Sequence, residues 1–409
     1  MKRIYNRLAM VAIVSIIFMG CRKDDIILQP EEEQLPPQEE VLSPEEEEEE
    51  VLPPEEEVTL PDTVTSIVGF YLLNEGNMNM NKASLDYYDY TTSKYRRNVY
   101  GEANPNATLG LGDVGNDIGI YGSKLYTVIN ASNKLEIMDV ATTKRLKVID
   151  IKNCRYITFS DGKAYISAYD GEISIGQNSP NGFVAEIDTT SLTITRRVEV
   201  GRQPEELAVV DGKLYVANSG GYSPPNYETT VSVVDINSFQ VINEIEVAPN
   251  LHRLRATESG DLYVSSRGDY YNIPSQLFVV DTKEQKVTNT FDIPTNNLTS
   301  VDNIAYIIGS ALSYETFEWE IDYRMIDIKN EELLEGSFLP KSVSDEIEMP
   351  YGIAVDPLSK DIYITDARDY VSPGTLYCID KNKTVKFTVK TGDIPAHFAF
   401  VYKTTTINK

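Results

Sequence analysis

The sequence of 409 residues has few of the side chains that build metal centres and disulfide frameworks: three Cys, two His and one Trp. Three Cys are too few for a disulfide framework, and the two His are too far apart in sequence to stand at metal-ligand spacing. The sequence also lacks the Cys-x-x-Cys-His of haem attachment and the Gly-x-Ser-x-Gly of serine hydrolases. We therefore expect no metal site and no resident cofactor, and a protein that is not an enzyme.

Basic side chains are also in the minority, since 37 Lys and Arg against 63 Asp and Glu give a net charge of −26. This balance argues against nucleic acid and against adsorption to anionic lipid as partners. Residues 24–62 contain 14 Glu, 3 Asp, no Lys or Arg and no aromatic residue. Such a Glu/Pro segment buries too little apolar surface to fold, so the sequence predicts a disordered acidic linker over residues 21–62.

The N-terminus has the pattern of an export signal. Basic residues at positions 2–7 precede an apolar run over residues 8–20, which is shorter than the ~20 residues of a membrane-spanning helix. Residues 1–20 are therefore predicted to be a signal peptide. Gly20-Cys21 resembles a bacterial lipobox, although Phe18 stands where Leu is usual, and Cys21 is the expected lipidation site. The Arg-Lys-Asp-Asp that follows resembles the signal that sends Bacteroidota lipoproteins to the extracellular side of the outer membrane.

Two markers alternate through the rest of the chain, and each occurs seven times. One is a Tyr between apolar neighbours, and the other is an Asp that ends an alternating run, with successive Asp 46 to 53 residues apart. A repeat of that length indicates the blades of a β-propeller. We expect an all-β, seven-bladed β-propeller over residues 63–403, with the repeat tyrosines in the core. The markers are Tyr71, Tyr126, Tyr165, Tyr215, Tyr263, Tyr306 and Tyr363, and Asp89, Asp139, Asp188, Asp235, Asp281, Asp327 and Asp380.

The turns and the chain ends add detail to this prediction. Asp211-Gly212 and Asp161-Gly162 fit two-residue hairpin turns that need positive φ. Residues 392–401 read as an inner strand with no blade after it, and residues 68–73 read as a second strand with no inner strand before it. Pairing the two completes blade one and closes the ring, which removes an exposed sheet edge.

Polar and aromatic residues concentrate in the loops between the second and third strands of each blade, and in those that lead to the next blade. Both sets of loops emerge on one face, so we expect a ligand site there. Any single loop residue is more often solvated than in contact, and a lone loop His more often forms hydrogen bonds than acts as a base. The predicted ligand-binding residues are Asn74, Asn77, Asn116, Asp117, Arg155, Tyr169, Asp170, Tyr222, Tyr227, Arg253, Arg267, Tyr270, Tyr271, Asn297, Tyr351, Arg368, Tyr370 and His397.

Residues 211–218 (DGKLYVAN) with 231–235 (VSVVD) resemble the YVTN-type propeller repeat. Residues 73–77 (LNEGN) and 83–89 (ASLDYYD), behind a lipid anchor and an acidic linker, resemble the opening of the surface propeller lipoproteins of gut Bacteroidota typified by BtuG. That resemblance implies capture of cobalamin (vitamin B12) on the loop face. It also implies transfer to a BtuB-like, TonB-dependent transporter in the outer membrane.

Two other interpretations stay open, because one propeller frame supports many activities. A lyase or lactonase could work with a Glu and a His together, at His397 for example. A scaffold that binds a glycan or another protein would use the same loop face.

Overall fold

A computed structural model of the chain describes residues 62–176, 179–312 and 319–407. The predicted signal peptide, Cys21 and most of the acidic linker lie outside these residues. The described strands form seven four-stranded antiparallel sheets arranged as a seven-bladed β-propeller, which confirms the predicted fold. Two short helices accompany them, α1 at Val99–Ala103 and α2 at Lys341–Ser344.

The four strands of each blade follow one another from the inner to the outer edge of the sheet. Blade one comprises β28 (Pro395–Ile407), β1 (Asp62–Asn74), β2 (Ser84–Asp89) and β3 (Lys94–Arg96); blade two comprises β4 (Gly115–Tyr121), β5 (Lys124–Ile129), β6 (Lys134–Asp139) and β7 (Arg145–Asp150). Blade three comprises β8 (Cys154–Ser160), β9 (Lys163–Ala168), β10 (Asn181–Asp188) and β11 (Thr193–Arg202); blade four comprises β12 (Pro204–Val210), β13 (Lys213–Asn218), β14 (Thr230–Asp235) and β15 (Gln240–Glu246).

The remaining blades have the same order. Blade five comprises β16 (Leu251–Ala256), β17 (Leu262–Ser266), β18 (Gln276–Asp281) and β19 (Lys286–Phe291). Blade six comprises β20 (Asn297–Val301), β21 (Ile304–Leu312), β22 (Trp319–Asp327) and β23 (Glu332–Leu334). Blade seven comprises β24 (Pro350–Val355), β25 (Ile362–Asp366), β26 (Pro373–Ile379) and β27 (Val385–Asp393).

The core lies between neighbouring blades, where the apolar faces of two sheets meet. Six of the seven repeat tyrosines are at most 3% exposed, and Tyr306 is half-buried. The repeat tyrosines therefore pack in the core, as predicted. Cys154 and Cys378 are buried free thiols.

The seven repeat Asp residues organise the turn between the third and fourth strands of each blade. Each Asp side chain accepts a hydrogen bond from a backbone N–H two to four residues further along the chain, at 2.7–3.2 Å. These bonds lower the pKa of the Asp235 carboxyl, for example, because they favour its charged form. The repeated Asp is therefore a turn residue.

The predicted hairpin turns are also present. Asp211 and Gly212 have φ of 46° and 71°, and Asp161 and Gly162 have φ of 47° and 77°. Two consecutive positive φ values define the turn whose twist matches that of antiparallel strands.

The ring closes through the two ends of the described chain. Strand β28 pairs with β1 from Asn74↔Pro395 to Asp62↔Ile407, which makes β28 the inner strand of blade one. Phe70 of β1 packs at this junction, with its ring centroid 4.6 Å from that of Tyr363 in blade seven. Both strands extend past the rest of the blade as a two-stranded ribbon at residues 62–67 and 402–407. This ribbon lies at the end of β1 opposite to the loop that contains Glu75.

Candidate functional site

A cavity of about 1140 Å³ opens on the loop face of the propeller. Its lining comes from the starts of inner strands, from the loops between second and third strands of blades one, five and seven, from the segment that leads to blade six, and from the ends of β21 and β22. The sequence predicts a site on this face, and the structure places the cavity there, offset toward blades five to seven.

The inner strands present polar side chains to the mouth of the central channel. In six of the seven blades the pairing between the inner and the second strand shifts register at this point, as in a β-bulge. The extra residue re-aims the local side chains, and bulges are common beside functional sites for that reason. The polar residues predicted to lie in loops before the inner strands are therefore among the first residues of those strands.

Backbone strain accompanies these bulges. Five residues that precede them have φ between 50° and 60°: Val114, Asn153, Gln203, Asn250 and Ile394. None is Gly, and the β-branched Val114 and Ile394 are disfavoured there by contact between Cβ and the backbone. Conformations of this kind cost roughly 1–3 kcal/mol each and cluster at functional sites. The strained residues are a further indication that the functional site lies at this end of the channel.

Arg155 and Glu205 form the best-paired part of the site. Arg155 Nη2 donates to Glu205 Oε2 at 2.8 Å, and Arg155 Nη1 donates to Asn116 Oδ1 at 2.6 Å. Tyr169 donates a short hydrogen bond to Glu205 Oε1. Burial alone would raise the pKa of Glu205, but Arg155 and Arg267 outweigh burial and hold that pKa below its usual value. Glu205 is therefore a buried carboxylate that stays charged.

His252 lies beside the Arg side chains. Its Nε2 is 3.1 Å from the Tyr156 hydroxyl, which also accepts from Arg253 Nη1 at 3.3 Å. Burial and the charges of Arg267, Arg253 and Arg155 lower the pKa of His252 well below its usual value. His252 is therefore neutral at physiological pH and acts through hydrogen bonds.

The opposite side of the cavity floor is acidic. Glu75 accepts a hydrogen bond from the Tyr351 hydroxyl at 2.9 Å, and its other oxygen lies 3.1 Å from His397 Nε2. His397 Nδ1 lies 3.9 Å from Asp117. Burial raises the pKa of Asp117, and the nearby His397 partly offsets that effect. Burial and Glu75 raise the pKa of Tyr351 well above its usual value. The side chain of His397 is 7% exposed, so this cluster is buried beneath the cavity.

Aromatic side chains form the upper wall. Tyr271 is 85% exposed, Trp319 is 55% exposed and Tyr270 is 54% exposed, and all three line the cavity. Large apolar planes that remain open to solvent cost free energy unless a ligand covers them. The wall is therefore suited to stack against a flat ligand.

The structure brings eight of the predicted residues to the cavity and places the other ten elsewhere. The eight are Asn116, Arg155, Arg253, Arg267, Tyr270, Tyr271, Tyr351 and Tyr370. Six of the others contact residues that line the cavity or the carboxylates beneath it. Asn77 donates a hydrogen bond to the carbonyl of Tyr370, Asn297 donates to the carbonyl of Tyr351, and Tyr169 donates to Glu205. Tyr227 packs on Tyr270, and His397 lies between Glu75 and Asp117.

The last four predicted residues have local partners. Asn74 is buried and donates to Ser84, Asp170 accepts from the N–H of Gly171, Tyr222 packs against Tyr169, and Arg368 lies 3.7 Å from Glu348. The described residues of the long loops of blades three and four do not line the cavity, which is offset toward blades five to seven.

Several lining residues are absent from the sequence-based prediction, notably Glu75, Trp319 and Gln276. Trp319 is the one Trp of the sequence and begins β22, and its rarity is a signal that the sequence offers. Glu75 lies between two residues that were predicted. Gln276 begins β18 and donates to Asp292 at 2.5 Å, a pairing that only the folded loops create.

No group of three or more His, Cys, Asp or Glu residues in the described ranges has the geometry to hold a metal ion. Across the same residues, no helix has the length and apolarity needed to cross a membrane.

A family model described as a domain of unknown function (DUF5074) matches residues 68–399, which is nearly the whole propeller. The chain belongs to this family. No curated protein sequence matches the chain. The DUF5074 domain therefore identifies the relatives of this propeller without assigning an activity to it.

Solved structures resemble the DUF5074 propeller at low identity. A quinonprotein alcohol dehydrogenase-like protein from Bacteroides thetaiotaomicron is 15% identical with a TM-score of 0.57, covering 81% of this chain and 78% of its own. A putative 6-phosphogluconolactonase from Bacteroides fragilis is 12% identical with a TM-score of 0.54, covering 82% of this chain and 98% of its own. A functionally unknown protein from Desulfotomaculum acetoxidans is 9% identical with a TM-score of 0.56, covering 81% of this chain and 98% of its own. Likeness at these identities indicates the fold alone.

Proposed function

We propose that this propeller captures a large polar ligand, cobalamin in first place, in the loop-face cavity and passes it to a TonB-dependent transporter of the outer membrane. The observation that supports the proposal is the combination of an exposed aromatic wall with a polar floor in one cavity. Its volume of about 1140 Å³ exceeds the ~300–1,000 Å³ of sites for drug-sized ligands. A ligand that fills it is correspondingly large.

The chemistry of the lining fits a corrinoid. A corrin is a broad plane with amides along its edge, so aromatic faces and side-chain amides complement it. Tyr271 and Trp319 offer the faces, and Asn272, Gln276 and Asn296 offer amides at the rim. A rigid ring of β-strands holds these groups, which reduces the entropy lost on binding.

Transfer to a transporter requires a surface for a second protein around the cavity. Exposed apolar side chains on the loop face include Met78, Met80, Ile175 and Val371, which are 58% to 77% exposed. Apolar side chains displayed on one face suit a protein partner. The lipid anchor expected at Cys21 would keep the propeller at the membrane that holds the transporter.

The test is calorimetric titration of residues 22–409, which lack the lipid-bearing Cys, with cyanocobalamin. We expect saturable binding that Tyr271→Ala weakens by about tenfold, since stacking on an aromatic ring contributes about 1–3 kcal/mol. Tyr402→Ala is the matched control, because Tyr402 is 54% exposed on the ribbon far from the cavity. Absence of heat and of a thermal shift at micromolar cyanocobalamin would contradict the proposal.

A lyase or lactonase is the second candidate function, and the Glu75 cluster is the observation that favours it. Glu75 lines the cavity with His397 at 3.1 Å, and Asp117 lies on the other side of that imidazole. A carboxylate held by an imidazole could act as a general base. Turnover of a panel of lactones that Glu75→Gln abolishes would favour the enzyme over the capture protein.

A further inference from the structure

The charges around the cavity floor are unevenly distributed. On the side formed by blades three to five, four guanidinium groups surround two carboxylates, Glu205 and Glu206. The closest N···O distances are 2.8 Å for Arg155–Glu205, 3.0 Å for Arg255–Glu206, 3.7 Å for Arg253–Glu206 and 3.9 Å for Arg267–Glu205. Three of these arginines, Arg155, Arg253 and Arg267, line the cavity, against one lining carboxylate on this side, Asp292, whereas Glu75 lines the opposite side.

Arg267 is the least satisfied of these arginines. Within the described ranges its guanidinium has one ion pair, the 3.9 Å approach to Glu205, and no hydrogen-bond acceptor. Both oxygens of Glu205 already accept hydrogen bonds, from Tyr169 and from Arg155. The Arg267 side chain is 31% exposed and lines the cavity. Its planar set of N–H donors is therefore open to a ligand.

The neighbours of Arg267 increase its affinity for a negative group. Arg253 also lines the cavity with its side chain 7% exposed, and nearly dry surroundings strengthen electrostatic attraction. His252, between the arginines, is neutral and hydrogen-bonded to Tyr156, so it adds a polar contact without a competing negative charge. Guanidinium groups bind carboxylate and phosphate through two parallel hydrogen bonds.

We infer that the blade-five side of the cavity is an anion-binding subsite, in which Arg267 and Arg253 bind a phosphate or carboxylate group of the ligand. The inference rests on the proposed function only in placing the ligand in this cavity, and it adds the charge and orientation of that ligand. The anionic group lies against blade five, and neutral hydrogen-bond donors face Glu75. Cobalamin carries such a group, the phosphodiester of its nucleotide loop, whereas cobinamide lacks that loop.

Two measurements test the subsite. The first measures how much inorganic phosphate raises the unfolding temperature of residues 22–409, compared with chloride at the same ionic strength. We expect a stabilising shift that Arg267→Gln abolishes, that Arg267→Lys reduces and that Arg96→Gln leaves unchanged. Arg96 is the matched control because its exposed ion pair with Glu102 is away from the cavity. A shift that persists in Arg267→Gln would overturn the subsite.

The second measurement compares cyanocobalamin with cobinamide by calorimetry. Arg267→Gln should weaken cyanocobalamin at least tenfold and change cobinamide affinity less than twofold. An equal loss for both ligands would overturn the assignment of Arg267 to the phosphodiester. If neither corrinoid binds but the phosphate shift still depends on Arg267, the corrinoid proposal fails while the subsite stands. If corrinoids bind and phosphate has no Arg267-dependent effect, the subsite fails while capture stands.

Discussion

At the scale of single residues, Glu205 is a buried carboxylate at the cavity floor that is paired with Arg155. Its carboxylate is 3% exposed and accepts hydrogen bonds from Arg155 and Tyr169, and Arg155 is itself only 14% exposed. Removing one partner of a buried ion pair leaves the other charge without compensation, which costs more than the pair itself contributes.

We therefore predict that Glu205→Gln lowers the free energy of unfolding at pH 7 by about 3 kcal/mol. Urea unfolding followed by circular dichroism measures the change. Glu199→Gln is the matched control, because Glu199 is exposed on the outer strand of blade three and should have an effect below about 0.5 kcal/mol. Equal stability of the Glu205 variant and the wild type would show that Arg155 does not need this counterion.

The same residue predicts a pH dependence. The pKa of Glu205 in the folded protein is below its usual value of 4.5, so the unfolded chain binds this proton more readily. Its contribution to stability is therefore complete above about pH 4.5 and is lost as the pH falls toward the folded-state pKa. Between pH 6 and pH 3 the wild type should lose more stability than Glu205→Gln. If the free energy of unfolding changed equally with pH in the two proteins, the pKa of Glu205 would not be lowered by folding.

At the scale of elements, the two-residue turns can be predicted from their Asp-Gly pairs. Gly212 has φ of 71°, and a Cβ at this position would meet no atom within 4 Å. Gly212→Ala should therefore destabilise the protein only through the left-handed backbone, by about 1 kcal/mol. Gly212→Asn is the control, since Asn tolerates this conformation better. Thermal unfolding measures both variants, and an Ala variant as stable as the Asn variant would count against the turn type.

Turns and blades could be predicted because their causes are local: Asp-Gly pairs, repeat Asp residues and alternating apolar residues lie within a few positions of one another. The bulges at the starts of the inner strands could not, since Val114 and Ile394 adopt positive φ against their own preference. In the folded chain their carbonyl groups accept hydrogen bonds from the backbone N–H of Asn130 and of Glu75, at 2.8 Å and 2.9 Å. Gln276 could not be predicted, because its place in the lining depends on packing between residues far apart in sequence, whereas Trp319, as the one Trp of the sequence, could have been.

At the scale of the whole molecule, the chain enters the propeller on the face opposite to the cavity. Strand β1 starts at Asp62 in the ribbon and ends beside Glu75, which lines the cavity. An inner strand of seven residues, such as β4, spans roughly 23 Å. If Cys21 carries the proposed lipid, the anchor is joined to the ribbon end of β1, and the cavity lies at the other end of that strand.

The proposed transfer makes a prediction about the length of the segment between Cys21 and Asp62. About 40 residues in extended conformation reach on the order of 100 Å, whereas 10 residues reach about 30 Å. Deleting residues 31–60 should thus abolish cobalamin-dependent growth of cells that rely on this protein, while the purified variant binds cyanocobalamin with unchanged affinity. Replacing the same residues with a Gly/Ser sequence of equal length should restore growth, because reach and not acidity is required. Normal growth with the shortened linker would mean that the cavity faces away from the membrane during transfer.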